Sequence, residues 1–191
     1  MPAVSDRFVH LLAPHRGDLE RYCRAAVRDA AEAVDVLQDA VLRCYRDFAR
    51  FQDGTSFRAF VFRYVVHESL NQNRRARARA RREQPLEHEP PGPELELAAE
   101  VLHDRLLAAP LEVLDQCQDE IRRAFLCLQP RERIAFLLVS LGGFRVREVA
   151  ELLSAPVGTV LSLVFRARRQ LRTHLAAVAH ERGLLPREAG A

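Results

Sequence analysis

The stretch from Arg145 to Leu171, RVREVAELLSAPVGTVLSLVFRARRQL, constrains the fold most, because apolar residues recur at helical spacing on both sides of one short break. Val146, Val149, Ala150, Leu152 and Leu153 share a face of a first helix too short to stand alone, so it must pack against something. Ser154, Ala155 and Pro156 interrupt the rhythm; proline has no amide hydrogen and biases its predecessor away from helix. A second helix then carries Val157, Val160, Val164, Ala167, Leu171, Leu175 and Val178 as a core stripe. Thr159, Ser162, Arg166 and Arg169 form the opposite stripe, with Phe165 beside it. The pattern is a helix-turn-helix. Its outer face suits the major groove, where Arg reads guanine and Ser or Thr bonds bases or phosphates.

The rest of the chain is read as helical too. Ten prolines and eight glycines fall between long helical patterns, and alternating β-branched runs are missing. With 191 residues, 48% hydrophobic and 29% charged, there is apolar material for one medium domain or two small ones with real cores, which excludes a disordered chain. No window approaches the roughly 18 apolar residues that cross a membrane, and the N-terminus lacks a signal-peptide layout. A cytoplasmic protein without membrane insertion is expected.

Catalysis is not expected. There is no glycine-rich phosphate loop, no two-histidine metal spacing and no nucleophile motif. Cys23, Cys44, Cys117 and Cys127 lie far apart beside apolar neighbours, which predicts reduced core thiols and no metal or other cofactor. His10, His15, His88, His103, His174 and His180 are dispersed and read as surface residues. All 29 basic residues are Arg, yet net charge is only +3. Nucleic-acid binding must therefore rest on where the arginines sit.

Phe8, Val9, Leu11 and Leu12 form a short apolar stretch ended by Pro14 and Gly17. The spacing predicts a helix from about Asp18 to Val27, and another from about Ala31 to Ala49 carrying Val34, Leu37, Val41, Leu42, Tyr45 and Phe48. Thr55 or Ser56 is placed to cap the next helix. That helix, Phe57 to about Arg82, begins aromatic (Phe57, Phe60, Phe62, Tyr64) and ends with six arginines between Arg74 and Arg82. Rings followed by guanidinium groups suit opened DNA, although the same rings serve equally as core. Gln84 to Glu96 holds four prolines, a glycine and four glutamates, the composition of a linker. The expected organisation is a first helical domain over 1–83, a linker over 84–110 with an acidic helix near Leu95–Leu107, a helix-turn-helix domain over 111–178, and a tail over 179–191.

Both halves resemble the bacterial sigma-70 family, specifically its two-domain extracytoplasmic-function (ECF) members. DVLQDAVLRCYRDFARF (Asp35–Phe51) is similar to the family's D-L-V-Q-E-x-F-L-R-x-W run. GTSFRAFVFRYVVHESLNQNRR (Gly54–Arg75) is similar to S-F-x-x-W-L-Y-R-I-A-x-N with its basic sequel. Leu128 to Leu171 resembles L-P-x-x-x-R followed by a helix-turn-helix and P-V-G-T-V-x-S-R-x-x-R-A-R. The resemblance implies a transcription-initiation subunit that recruits core RNA polymerase to promoter DNA. Its expected partners are that polymerase, promoter DNA and an anti-sigma factor.

Carried over residue by residue, the resemblance gives Asp35, Gln38 and Asp39 a role in docking on polymerase, with Arg43 beside them and able to pair Asp39. Arg58, Phe60, Arg63, His67, Asn71, Arg74 and Arg75 fall in the segment that melts and reads the downstream element. Thr159, Ser162, Phe165, Arg166 and Arg169 match the major-groove face for the upstream element. His67 stands where relatives often have Asn, and Tyr45 and Phe60 where they usually have Trp. Leu161 and Leu163 replace basic residues, which predicts weak upstream-element binding by this domain alone. Two alternatives stay open from sequence: a free-standing helix-turn-helix regulator, and a sigma-like decoy that binds polymerase or an anti-sigma protein without reading DNA.

Overall fold

A computed structural model describes residues 4–29, 31–83 and 118–181, apart from the side chains at 80–83, 118–121 and 175–181. Among the described residues there are eight α-helices and no strand. They are α1 (Val4–Leu12), α2 (Arg16–Ala26), α3 (Glu32–Arg46), α4 (Phe57–Glu83), α5 (Gln118–Cys127), α6 (Pro130–Ser140), α7 (Val146–Leu152) and α8 (Val157–Glu181), with 3-10 turns at Ala13–His15 and Phe48–Arg50. The fold is all-α, in two small helical domains, α1–α4 and α5–α8. The expected linker, its acidic helix, Val113, Leu114, Cys117 and the end of the tail lie outside the described residues.

In the first domain α3 and α4 pack along each other, with α2 against both. The helix expected from Asp18 begins at Arg16 instead. Pro14 sits in the first turn of the 3-10 segment, where its missing amide hydrogen costs no bond, so the chain passes into α2 without a loop. The helix expected over 31–49 ends at Arg46 and continues as a 3-10 turn. Its inward row also differs: Ala33, Val36, Ala40 and Cys44 are buried, whereas Val34, Leu42 and Tyr45 stay exposed. Small residues let α4 approach closely, and the larger apolar side chains are left facing out.

Thr55 and Ser56 divide the work at the start of α4. The Ser56 hydroxyl accepts the Ala59 amide hydrogen at 3.2 Å, while the Thr55 hydroxyl donates to the Gln52 carbonyl at 2.6 Å and closes the preceding turn. Gly54 supplies the positive φ, +86°, which that turn needs. Phe57, Val61, Phe62, Val65 and Val66 then point into the core.

In the second domain α6 is the central rod: every residue from Glu132 to Leu138 is buried. It is enclosed by α5, by α7 and by α8, whose Val160, Val164, Ala167 and Leu171 are the buried stripe expected from the sequence. Val157, in the same predicted stripe, is exposed because it lies in the first turn of α8, short of the packed region. The axes of α7 and α8 bend by 103°. The turn is made by Ser154 at φ +48°, with the Ala155 amide donating to the Ala150 carbonyl at 2.9 Å. The Pro156 carbonyl then receives the Thr159 amide at 3.0 Å. At the start of α7 the Arg145 amide donates to the Glu148 carboxylate at 2.7 Å.

Candidate nucleic-acid interface

At 100° per residue, Phe60, Arg63, Tyr64, His67, Asn71, Arg74 and Arg75 lie within about 60° of one line down α4. The rings on this face are braced. Phe60 is half-buried, 5.3 Å from the Phe51 ring and 5.4 Å edge-on from Tyr64. The Tyr64 hydroxyl donates to Asp47 at 2.9 Å; burial, with this bond, pushes its pKa up to about 12. They form a wall attached to the core, which reconciles the two readings that the sequence left open for the aromatics.

One turn further on, His67 is exposed, and its Nδ1 lies 3.1 Å from both Glu68 Oε1 and Asn71 Nδ2. Glu68 is buried and receives Arg43 Nη1 from α3 at 2.8 Å. The carboxylate only accepts and the Asn71 amide nitrogen only donates, so the two compete for Nδ1, and Nε2 faces neither of them. Arg63, Arg74 and Arg75 are exposed around this group.

Arg58 does not join them. It lies about 160° round the helix from Phe60, where it donates to the Gly142 carbonyl of the second domain. Its guanidinium also stands 4.5 Å from the Phe144 ring centre. Sequence similarity put Arg58 in the same segment as the others without resolving its face.

On α3, Asp35, Gln38 and Asp39 are all exposed, beside the exposed apolar side chains of Val34, Leu42 and Tyr45. The pairing of Asp39 with Arg43 is not formed, since Arg43 turns to Glu68. A buried carboxylate, more poorly hydrated than a surface one, is the stronger partner for it.

On α8, Thr159, Ser162, Phe165, Arg166 and Arg169 are exposed along one side. Ser162 donates its hydroxyl to the Gly158 carbonyl at 3.0 Å, and Arg166 Nε donates to the buried Glu132 carboxylate at 2.7 Å. The two leucines differ from each other. Leu161 is exposed, as a side chain in place of a phosphate contact is expected to be, but Leu163 is buried and lines a cleft with Leu70 of the first domain. At 163 the apolar residue serves packing.

Sequence reasoning missed Glu68, Glu132 and Arg133, because three charged residues amid helical patterns read as surface. The one available signal was the run Ile134–Leu138, which makes α6 apolar nearly all round and so buries its first turn as well. Of the thiols, Cys23 and Cys44 are buried, and desolvation pushes both to about 12. Cys127, the last residue of α5, is exposed, against expectation.

The Sigma-70 region 2 model matches residues 11–79 and the Sigma-70 region 4 model residues 118–171, together most of the chain and in that order. The chain belongs to the sigma-70 family. This sigma factor is 29% identical over 164 residues to the ECF RNA polymerase sigma factor SigM of Mycobacterium tuberculosis strain H37Rv, covering 86% of this chain and 74% of that one. It is 24% identical over 174 residues to the ECF RNA polymerase sigma factor SigW of Bacillus subtilis strain 168, covering 89% of each. The sigma factor RpoE, solved in complex with the anti-sigma factor NepR from Bartonella quintana, has the same fold. Its TM-score is 0.62 at 19% identity, over 90% of this chain and 95% of that one. CnrH, solved with the cytosolic domain of CnrY, matches with a TM-score of 0.61 at 21% identity, over 91% and 90%. The molecule is an ECF-type sigma factor that works with core RNA polymerase and promoter DNA. The free-standing regulator and the decoy are not favoured. Among the described residues no single helix is long and apolar enough to cross a membrane.

Proposed function

We propose that the first domain docks on core RNA polymerase through Asp35, Gln38 and Asp39 and opens the downstream promoter element with the outward face of α4. The second domain reads the upstream element with α8. The observation that carries this reading is the ordered pair of family matches, region 2 over α2–α4 and region 4 over α5–α8. Physical chemistry supports each part. On α3, carboxylates and an amide border exposed Val34, Leu42 and Tyr45, which suits a partner helix offering cations and an apolar ridge.

On α4, a base extruded from the duplex gives up a few kcal/mol of stacking, which the braced Phe60–Tyr64 wall and Arg63, Arg74 and Arg75 can offset through ring contacts and phosphate clamps. His67 would read that base through Nε2, so a preference distinct from that given by Asn is expected. On α8, Thr159 and Ser162 would position phosphates or bases, and Arg166 and Arg169 would reach guanine or the backbone. No catalytic residue and no cofactor enter: binding energy alone drives opening, in the cytoplasm where polymerase acts. An anti-sigma protein would act by covering these same faces. The boundaries proposed for the two functional units are 1–83 and 111–178.

The test is fluorescence titration of labelled protein into bacterial core RNA polymerase, comparing wild type with the Asp35→Ala, Gln38→Ala, Asp39→Ala triple variant. Tight binding that the variant loses, followed by transcription from a promoter library, is the expected result. Absence of binding by the wild type overturns the docking assignment.

A further inference from the structure

The outer face of α8 carries apolar side chains that the fold does not bury. Val157, Leu161 and Phe165 are 42%, 53% and 67% exposed, and none belongs to the core or to the half-buried residues packed on it. They stand four residues apart, so at about 100° per residue they form one oblique ridge that turns outward by about 40° at each step. Val157 stands beside the core stripe, Phe165 is close to opposite it, and Leu161 is the middle of the ridge. A contiguous apolar ridge is a surface for contact.

The residues around the ridge define what covers it. From Val157 to His180 the chain holds four arginines, at 166, 168, 169 and 172, and no acidic residue. Arg168 and Arg169 are exposed beside the ridge. Carbon set among cations, without one carboxylate, fits a partner with anionic edges and apolar groups between them. Duplex DNA is such a partner: phosphates border the major groove, and the thymine C5-methyl projects into it.

The start of α8 also has little else with which to read bases. A recognition helix contacts base edges with its N-terminal residues. In the first two turns the exposed ones are Val157, Gly158, Thr159, Leu161 and Ser162. Gly158 stands in open space, where even an added Cβ would meet nothing within 4 Å, so the backbone can come close to the bases there. The Cα–Cβ bond of Leu161 tilts back toward that turn. Ser162 has given its hydroxyl proton to the Gly158 carbonyl at 3.0 Å and offers only lone pairs. Leu161 is the largest side chain of this set, and it has neither donor nor acceptor.

We propose that Leu161 is a specificity-determining residue: flanked on the ridge by Val157 and Phe165, it seats a thymine C5-methyl of the upstream element. The proposal rests on the assignment of α8 to that element made above, and adds the chemistry by which Leu161 selects. Salt-dependent phosphate binding is given up at this position, and discrimination between thymine and the other bases is gained.

The test uses holoenzyme formed from the full chain and core RNA polymerase, and DNA altered by single methyl groups. A promoter is recovered from a library randomised in the upstream region. Its upstream element is then made as synthetic duplexes in which each thymine in turn, on either strand, is replaced by deoxyuridine. That exchange removes the C5-methyl and keeps every hydrogen-bonding group of the base. Competition binding should reveal a position where deoxyuridine weakens wild-type binding about threefold to fivefold, the value of one buried methyl. Leu161→Ala should bind the thymine and uracil duplexes equally at that position, while Leu161→Met, still apolar and of similar size, should keep the preference. Both variants should melt with the wild type, since Leu161 is exposed. Selection that enriches no upstream sequence overturns the α8 assignment and this proposal together. An enriched element without thymine, deoxyuridine that changes nothing, or an equal loss in wild type and Leu161→Ala overturns the proposal alone. Weaker binding by Leu161→Ala that is the same on wild-type-neutral thymine and uracil duplexes also overturns it, and gives the ridge to a protein partner.

Discussion

The two long helices, α4 and α8, present outward faces of different construction. Behind the α4 face stand supports from three other segments: Phe51 braces Phe60, Asp47 holds the Tyr64 hydroxyl, and Arg43 anchors Glu68, which orients His67. The α8 face has one such support, Glu132 behind Arg166, and carries an exposed Leu161 and Phe165 among its polar residues. On the roles proposed above, a face that holds a single extruded base needs its groups fixed in advance. A face that lies along a groove is positioned by the duplex itself and tolerates looser side chains.

The comparison is broken most severely at Glu68. Replacing it with Ala removes the acceptor shared by Arg43 and His67, and because both partners can reach water the expected loss is about 2–3 kcal/mol. Thermal melting measures that loss, and binding to a fork-junction promoter should fall with it. The two leucines of α8 give the next effect. Leu163→Arg forces a guanidinium into a buried position and should destabilise by about 1–3 kcal/mol. Leu161→Arg should leave stability within about 0.5 kcal/mol and steepen the salt dependence of upstream-element binding by about one unit. Equal effects from the two would remove the distinction drawn between them.

His67→Asn is a smaller and more specific change. Melting temperature should hold, while discrimination at one position of the downstream element shifts by about 1 kcal/mol, read from competition between promoter variants. The smallest effect is one of pH. Burial, then repulsion by Arg58, holds the His15 imidazole below 6.5, with Asp18 opposing. The folded chain therefore prefers neutral His15. Its contribution is complete above pH 6.5 and is lost as pH falls through the lower folded value. Denaturant midpoints should decline over that window in wild type and decline less in His15→Gln.

The sequence made the architecture legible wherever apolar spacing and a helix breaker coincide. Both helices of the helix-turn-helix and the inward row of α8 from Val160 to Leu171 follow from that alone. It ranked rows poorly where a helix has two. On α3 the large residues Val34, Leu42 and Tyr45 looked like core, but the small residues Ala33, Ala40 and Cys44 decide how closely α4 can approach. The candidate positions on α4 were assigned as a segment and not as a face: six of the seven share one side, while Arg58 shares none of it. Glu68 was illegible, and Glu132 and Arg133 were marked only by the apolar run that follows them, because a charged residue is buried only when distant partners exist for it, and distance along the chain conceals them.

Arg133 also has a history in time. Its acceptor Asn73 precedes it by 60 residues and the Ala26 carbonyl by 107. At ribosomal rates of 5–20 residues per second, roughly 3–12 s separate the synthesis of Asn73 from that of Arg133. From Glu83 onward in that interval the helices α1–α4 have been made while α6, which carries Arg133, has not. The buried contact at Arg133 therefore closes only after the helices that hold its acceptors have been made.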